Sequence, residues 1–325
     1  MTENIKLEDF AIGKTQSKSE DILSTIGVIG CGNMGQELIS YFSQQGFDVR
    51  FVDTSDEMIA ERYKKIETVL DAKIAKWGLT EGEKKGVLNR IKGSSDYKIL
   101  KDCDIVIEAI ETVSKMSNLT IRKEILAKIE EIVSDNCVIA SNTSTLMISE
   151  LSEDLCKPER TLAMHFISPV EDVKIIELVA HAKTTKKAYN TATKFIKMLN
   201  RTPLDINESA GNICTRMTVP MINEACNIFM EGVSSPKDID KAMRNSFGYQ
   251  FGPFELADRI GLDKLLRWMD NLYQEFGEQK YKASPIIKRL VRANHLGRKT
   301  EIGFYKYENN SIVEQAVTCA QINKL

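Results

Sequence analysis

Of 325 residues, three are histidines: His165, His181 and His295. His165 sits in MHFISP, residues 164–169, among apolar neighbours that read as a strand. Histidine is the side chain whose ordinary pKa lies nearest neutrality, so it is the usual group for moving a proton at physiological pH. The ring could equally be half-buried and bonded to a backbone group, and the surrounding elements must decide.

A second stretch carries another chemistry. Gly30-Cys31-Gly32-Asn33-Met34-Gly35 matches G-x-G-x-x-G. It follows a short apolar strand, Ile26–Ile29, and opens a segment in which Met34, Leu38 and Phe42 recur at spacing four, the apolar face of a helix. In that context Gly30 makes the tight turn and Gly32 lets a pyrophosphate approach the backbone. Gly35 lets helix and strand pack closely, and the helix N-terminus faces the phosphate charge. A second strand, DVRFVD, ends in Asp53, 23 residues after Gly30. A carboxylate there suits the adenosine ribose hydroxyls and repels a 2′-phosphate, which favours NAD over NADP.

These residues need a scaffold, and the chain supplies alternating elements. Strands are read at Cys103–Ile110, Cys137–Thr145, Arg160–Phe166, Val173–Ala180 and Thr202–Ile206. Amphipathic helices are read at Asn118–Val133 and Ala188–Asn200. Alternation of this kind implies a mostly parallel, doubly wound α/β sheet. The charged segment Met58–Gly93 reads as a helical hairpin projecting from it. After Glu208 the pattern changes to helices at Ala210–Gly232, Pro236–Phe247, Leu262–Gly277 and Ser284–Asn294, without strand signals. Pro220 is expected to bend the first of these. The organisation is therefore a polar, flexible extension over 1–21, a sheet domain over 22–208 and a smaller all-helical domain over 209–325.

With 44 basic and 46 acidic residues, net charge −2, the surface is of mixed sign and offers nothing to nucleic acid. The sequence contains no apolar run long enough to cross a bilayer. Seven cysteines, an odd number without a CxxC pair, read as reduced core residues of a cytoplasmic protein, not as disulfides or a metal site.

The order of eight motifs resembles the 3-hydroxyacyl-CoA dehydrogenase family over about residues 24–307: VIGCGNMG, DIVIEA, SNTSTLMISEL, MHFISPVEDVKIIELV, PMINEA, DIDKAM, GPFELADRIGLD and GRKTEIGFYKY. The resemblance implies a Rossmann-type domain followed by a helical domain that forms a homodimer. It places the catalytic histidine on His165, general base in oxidation of a 3-hydroxyl and general acid in reverse. It places the orienting glutamate on Glu177, which a turn through Pro169 could bring to the ring. Ser144 would bond the substrate oxygen beside the nicotinamide; Ser144 and Asn142 could alternatively cap a helix at LMISEL. Lys299 would reach the cofactor from the second domain, and Lys76 the CoA phosphates. Glu111 resembles a cofactor-site glutamate set one residue early. An insertion of about five residues after it leaves Lys115 and Arg122 as rival candidates for a cofactor lysine.

The departures gather at the same site. Ser168 stands for an asparagine that contacts the cofactor, Thr215 for a catalytic asparagine, and Gln250 and Phe251 for proline and methionine. The resemblance thus implies an NAD-dependent dehydrogenase of a short 3-hydroxyacyl thioester with a changed acyl group or carrier. The same chemistry on an acyl-carrier-protein-bound or free hydroxy acid is a close alternative. For the first of these, the basic stretch Lys288–Lys299 could meet an acidic carrier. A non-catalytic NAD-binding structural or regulatory protein is the contrasting one.

Overall fold

A computed structural model describes residues 23–111, 118–309 and 311–317. The extension 1–21 and Lys115 lie outside the described residues.

The glycine turn joins β1 (Thr25–Ile29) to α1 (Asn33–Gln44). There follow β2 (Asp48–Val52), α2 (Asp56–Ala75), α3 (Glu81–Arg90), β3 (Ile91–Ser94) and β4 (Ile105–Glu108). Then come α4 (Asn118–Ile132), β5 (Val138–Ser141), the single turn α5 (Ile148–Leu151), β6 (Thr161–His165), β7 (Ile175–Ala180), α6 (Lys186–Met198) and β8 (Thr202–Asn207). The eight strands lie in the order β3-β2-β1-β4-β5-β6-β7-β8. All neighbours are parallel except β6 and β7. Every residue of β4, β5 and β6 is buried, as expected of strands covered by helices on both faces. The strand order reverses at β1, between β2 and β4, and in such sheets ligands bind outside the carboxyl ends at the reversal.

The segment read as a projecting hairpin is α2 and α3, and it lies against α1 instead of standing clear. Ile66, Leu70 and Val87 are buried, the Ser43 hydroxyl donates to Val87 O (2.7 Å), and Arg90 Nε donates to Ser43 O (3.0 Å). The segment's last residues form β3, whose sequence IKGS carries a single apolar side chain and so gives no alternating signal.

The second half comprises α7 (Cys214–Met230), α8 (Pro236–Phe247), α9 (Pro253–Ile260), α10 (Leu262–Phe276) and α11 (Pro285–Arg292). Pro220 lies inside α7 without ending it. The all-helical expectation is corrected at one place. β9 (Tyr305–Glu308) and β10 (Ser311–Gln315) form an antiparallel pair, and in β9 the buried Tyr305 and Tyr307 alternate with the exposed Lys306 and Glu308. Two buried carboxylates anchor this strand. Asp258 accepts from the amides of Phe304 and Tyr305 (both 3.0 Å) and from the Tyr307 hydroxyl (2.9 Å). Asp240 accepts from the Tyr305 hydroxyl (2.8 Å). Helix α9 lies outside the helices expected from periodicity; its sequence signal is Gly252-Pro253, the proline-first start of a helix.

Candidate active site

His165 is the last residue of β6, and the antiparallel register sets it directly opposite Glu177 of β7. The chain reverses between these strands, so two side chains twelve residues apart share one face. His165 Nδ1 lies 2.5 Å from Glu177 Oε2, and both residues are buried. The other carboxylate oxygen, Oε1, accepts from the amides of Ile213 (3.0 Å) and Cys214 (2.8 Å). These amides open α7, which has no side-chain cap of its own from its N-cap residue Ile213, so Glu177 caps it from the neighbouring sheet. Burial pushes the Glu177 carboxyl up, but the imidazole and the Cys214 amide outweigh it, and the group sits below the ordinary glutamate value. Burial and the Glu177 charge push the Cys214 thiol up to about 12, so it stays protonated beside the carboxylate.

A carboxylate at Nδ1 calls for the proton on that nitrogen, which leaves Nε2 as an acceptor. The hydroxyl of Ser144 lies 3.0 Å from Nε2 and donates to it in that tautomer. Ser144 leaves β5 in the turn SNTST, and its neighbours hold the turn. Asn142 Oδ1 accepts from the Phe166 amide (2.7 Å), and Thr143 Oγ1 accepts from the Leu146 amide (3.0 Å). Helix α5 begins at Ile148 with Met147 as its N-cap. Capping by Ser144 or Asn142 is therefore corrected: Glu208 Oε1 accepts from the first-turn amide of Ser149 (2.6 Å), and Ser144 faces the ring.

The glycine loop opens onto the same carboxyl edge. Gly30 has φ +86°, and a Cβ on Gly35 would lie 1.9 Å from the Gly30 carbonyl oxygen, so only glycine fits there. Helix α1 has Gly32 as its N-cap, no side-chain cap and no acid in its first turn. Its first amides, from exposed Asn33 and buried Met34 onward, are left for an anion. Glu111 leans over this loop, its carboxylate 3.4 Å from where a Cβ on Gly32 would be. Asp53 ends the adjoining strand, accepting from the Thr54 amide (2.8 Å) and from Arg62 Nε (3.2 Å), with lone pairs left for ribose hydroxyls. Burial and the Asp53 charge push the buried Cys31 thiol up to about 12, so this loop residue offers its backbone only. These donors and acceptors fit a dinucleotide.

The remaining sequence candidates are dispersed. The Ser168 hydroxyl donates to Glu37 of α1 (2.7 Å), tying the β6–β7 turn to that helix. Lys299 pairs with Asp263 at the start of α10 (2.6 Å). Lys76 is exposed at the C-terminal end of α2. Thr215 is buried in the first turn of α7, and its hydroxyl has no hydrogen-bond partner. Arg122 is buried against Glu108 and also donates to Ile110 O (2.9 Å), so it is committed to the protein. Sequence reading missed the far wall of the cleft, where Lys264, Arg267, Trp268 and Asn271 of α10 line the space beside Glu111 and Ser144. Asn271 Nδ2 donates to Thr145 Oγ1 (2.8 Å) across it. The available signal was their spacing of three and four, one stripe of the helix.

A dinucleotide loop and a carboxylate-backed histidine on one sheet edge define an oxidoreductase of the nicotinamide-dependent class. The description "3-hydroxyacyl-CoA dehydrogenase, NAD binding domain" matches residues 25–209, and the C-terminal domain of the same family matches 211–307. The chain belongs to the 3-hydroxyacyl-CoA dehydrogenase family, with NAD as the cofactor of its first domain. It is 35% identical over 282 residues to a 3-hydroxybutyryl-CoA dehydrogenase of Clostridioides difficile, covering 87% of this chain and 99% of that one. Among solved structures, (S)-3-hydroxybutyryl-CoA dehydrogenase from Ralstonia eutropha is similar with TM-score 0.79 and 36% identity, covering 89% and 100%. FadB2 of M. tuberculosis is similar with TM-score 0.84 and 28% identity, covering 89% and 100%.

The geometry yields a paired prediction. His165→Gln lowers turnover by about 10²–10⁴-fold, the range for a positioned acid–base group, and leaves the NADH dissociation constant within about twofold. Glu177→Gln keeps an oxygen for the α7 amides but turns an N–H toward His165 Nδ1, forcing the other tautomer. It therefore folds with a near-native melting temperature yet loses turnover by a similar factor. A Glu177→Gln protein with wild-type turnover would show that the carboxylate does not set the ring's tautomer.

Proposed function

We propose that this chain oxidises, or in reverse reduces, C3 of a short 3-hydroxyacyl thioester carried on CoA. The single observation that carries the reading is the line Ser144–His165–Glu177, with both outer groups in hydrogen-bond contact with the ring. When bound, NAD supplies the hydride acceptor. His165 Nε2 takes the proton of the 3-hydroxyl, and Glu177 steadies the imidazolium that results. Ser144 holds the substrate oxygen and loses its present partner to it. The backbone of Gly30, Cys31, Gly32, Asn33, Met34 and Gly35 holds phosphate, Asp53 ribose, and Glu111, Ser168 and Lys299 the nicotinamide half. Lys76 is assigned to the CoA phosphates and Thr215 to the substrate carbonyl. A buried hydroxyl without a partner is costly, which supports reserving Thr215 for a ligand.

The residues 209–325 are proposed to hold a homodimer together, because Met217, Val233, Phe247 and Tyr249 leave apolar surface exposed there. The described cysteines are all free thiols, which supports a reducing compartment such as the cytoplasm.

Three measurements check this reading. In an NADH absorbance assay over hydroxyacyl-CoA, carrier-protein and free-acid substrates, the CoA thioesters give the highest kcat/KM. Wild-type protein is poor with 3-hydroxybutyryl-CoA, and Thr215→Asn, alone or with Ser168→Asn, raises its kcat/KM, because a displacement of about 1 Å costs about 10²-fold in rate. Efficient wild-type turnover of 3-hydroxybutyryl-CoA would sink the idea of a shifted substrate. Sedimentation at micromolar concentration gives a dimer; a monomer would contradict the assignment of the apolar face.

A further inference from the structure

Helix α10 buries Leu262, Leu265, Met269 and Leu272 and turns its next stripe toward the cofactor cleft. The side chains of that stripe have different engagements. Asn271 is bonded to Thr145. Arg267 pairs with Asp263 one turn back (3.4 Å), and Lys299 occupies the same carboxylate. Lys264 differs. Its ammonium stands 5.3 Å from the centroid of the Trp268 ring, and among the described residues no carboxylate lies within 4.0 Å of it.

The surroundings say where this charge looks. Burial lowers the Lys264 amine below the ordinary lysine value; Glu111 and Glu37 act in the opposite sense, and Arg267 and Arg122 in the same sense. Glu111 leans over Gly32, and Glu37 lies in the second turn of α1. Lys264 and Met34, in the first turn of α1, line one cleft, so the lysine shares that space with the uncapped N-terminus of α1. Two positive features, a helix N-terminus and a cation without a counter-ion, flank one space lined also by Met34 and Ser144. A flanked space of this kind fits an anion that both sides can share.

We propose that Lys264 is a cofactor-positioning residue: it reaches from the C-terminal helices to the phosphate and ribose on the nicotinamide side of the dinucleotide. The proposal rests on this cleft being the cofactor's. The aromatic ring beneath the ammonium keeps the charge in place without neutralising it. The helical half thereby binds the cofactor directly, and the acyl substrate meets a cleft whose far wall the cofactor has already fastened.

The test compares wild type with Lys264→Met and Lys264→Arg by fluorescence titration with NADH and by calorimetry with AMP, which carries only the adenine side. Lys264→Met should weaken NADH by about tenfold or more, as for loss of one charge-assisted hydrogen bond. Lys264→Arg should recover to within about threefold, because a guanidinium still donates to phosphate. AMP affinity should stay the same in all three. An NADH affinity in Lys264→Met within about twofold of wild type overturns the proposal. Unchanged NADH affinity with a raised KM for the acyl substrate also overturns it and assigns the lysine to a substrate anion. Failure of wild type to bind NADH at all would instead sink the reading of the whole cleft. Melting curves of the apo proteins separate a folding defect, which would lower AMP binding as well.

Discussion

One buried carboxylate organises this molecule. Glu177 has no exposure to solvent, and a charge in that position is tolerated only when its lone pairs are matched. Three donors match it: the His165 ring and the amides of Ile213 and Cys214. The first comes from the neighbouring strand and the other two from the first helix after the sheet. Moving any of them leaves a buried charge short of a partner. The same interaction that orients the imidazole therefore locks the helical half onto the α/β half.

Other features become intelligible from this point. β7 must run against β6 for Glu177 to stand opposite His165, and this is the single antiparallel pairing in the large sheet. The parallel strands on its other side bring their carboxyl ends to the same edge, which is why the glycine loop, Asp53, Glu111 and Ser144 all arrive there. With α7 fixed at its first turn, α10 packs against it and closes the cleft from above, with Asn271 joined to Thr145. An imidazole, a hydroxyl and the glycine turn thus meet at the seam between the sheet half, with a core on each face, and the separately packed helical half.

Legibility in the sequence followed the range of each interaction. The glycine loop was readable because strand, turn and helix N-terminus are contiguous, and its mechanics need those residue types at that spacing. The pairing of His165 with Glu177 depends on strand register; it entered through family resemblance, and spacing alone does not give it. β9 gives little sequence signal because its alternation spans four residues and its tyrosines find their acids, Asp240 and Asp258, some 50 to 65 residues away. Arg122 and Lys264 look alike in the sequence, as charged positions on amphipathic helices. Both reach the same cleft, but Arg122 is paired with Glu108 while Lys264 stacks on Trp268 with no carboxylate within 4.0 Å among the described residues, and only tertiary placement separates them. Thr215 was legible as a departure from the family pattern, but its unpaired buried hydroxyl was not.

The central claim, that Glu177 fixes the protonation pattern of His165, is tested most directly by ¹⁵N NMR of histidine-labelled protein. The chain has three histidines, so loss of a signal in His165→Gln assigns the ring. At a pH where the ring is neutral, the account predicts a protonated Nδ1 and a bare, acceptor-type Nε2. A proton on Nε2 in the wild-type protein would contradict it.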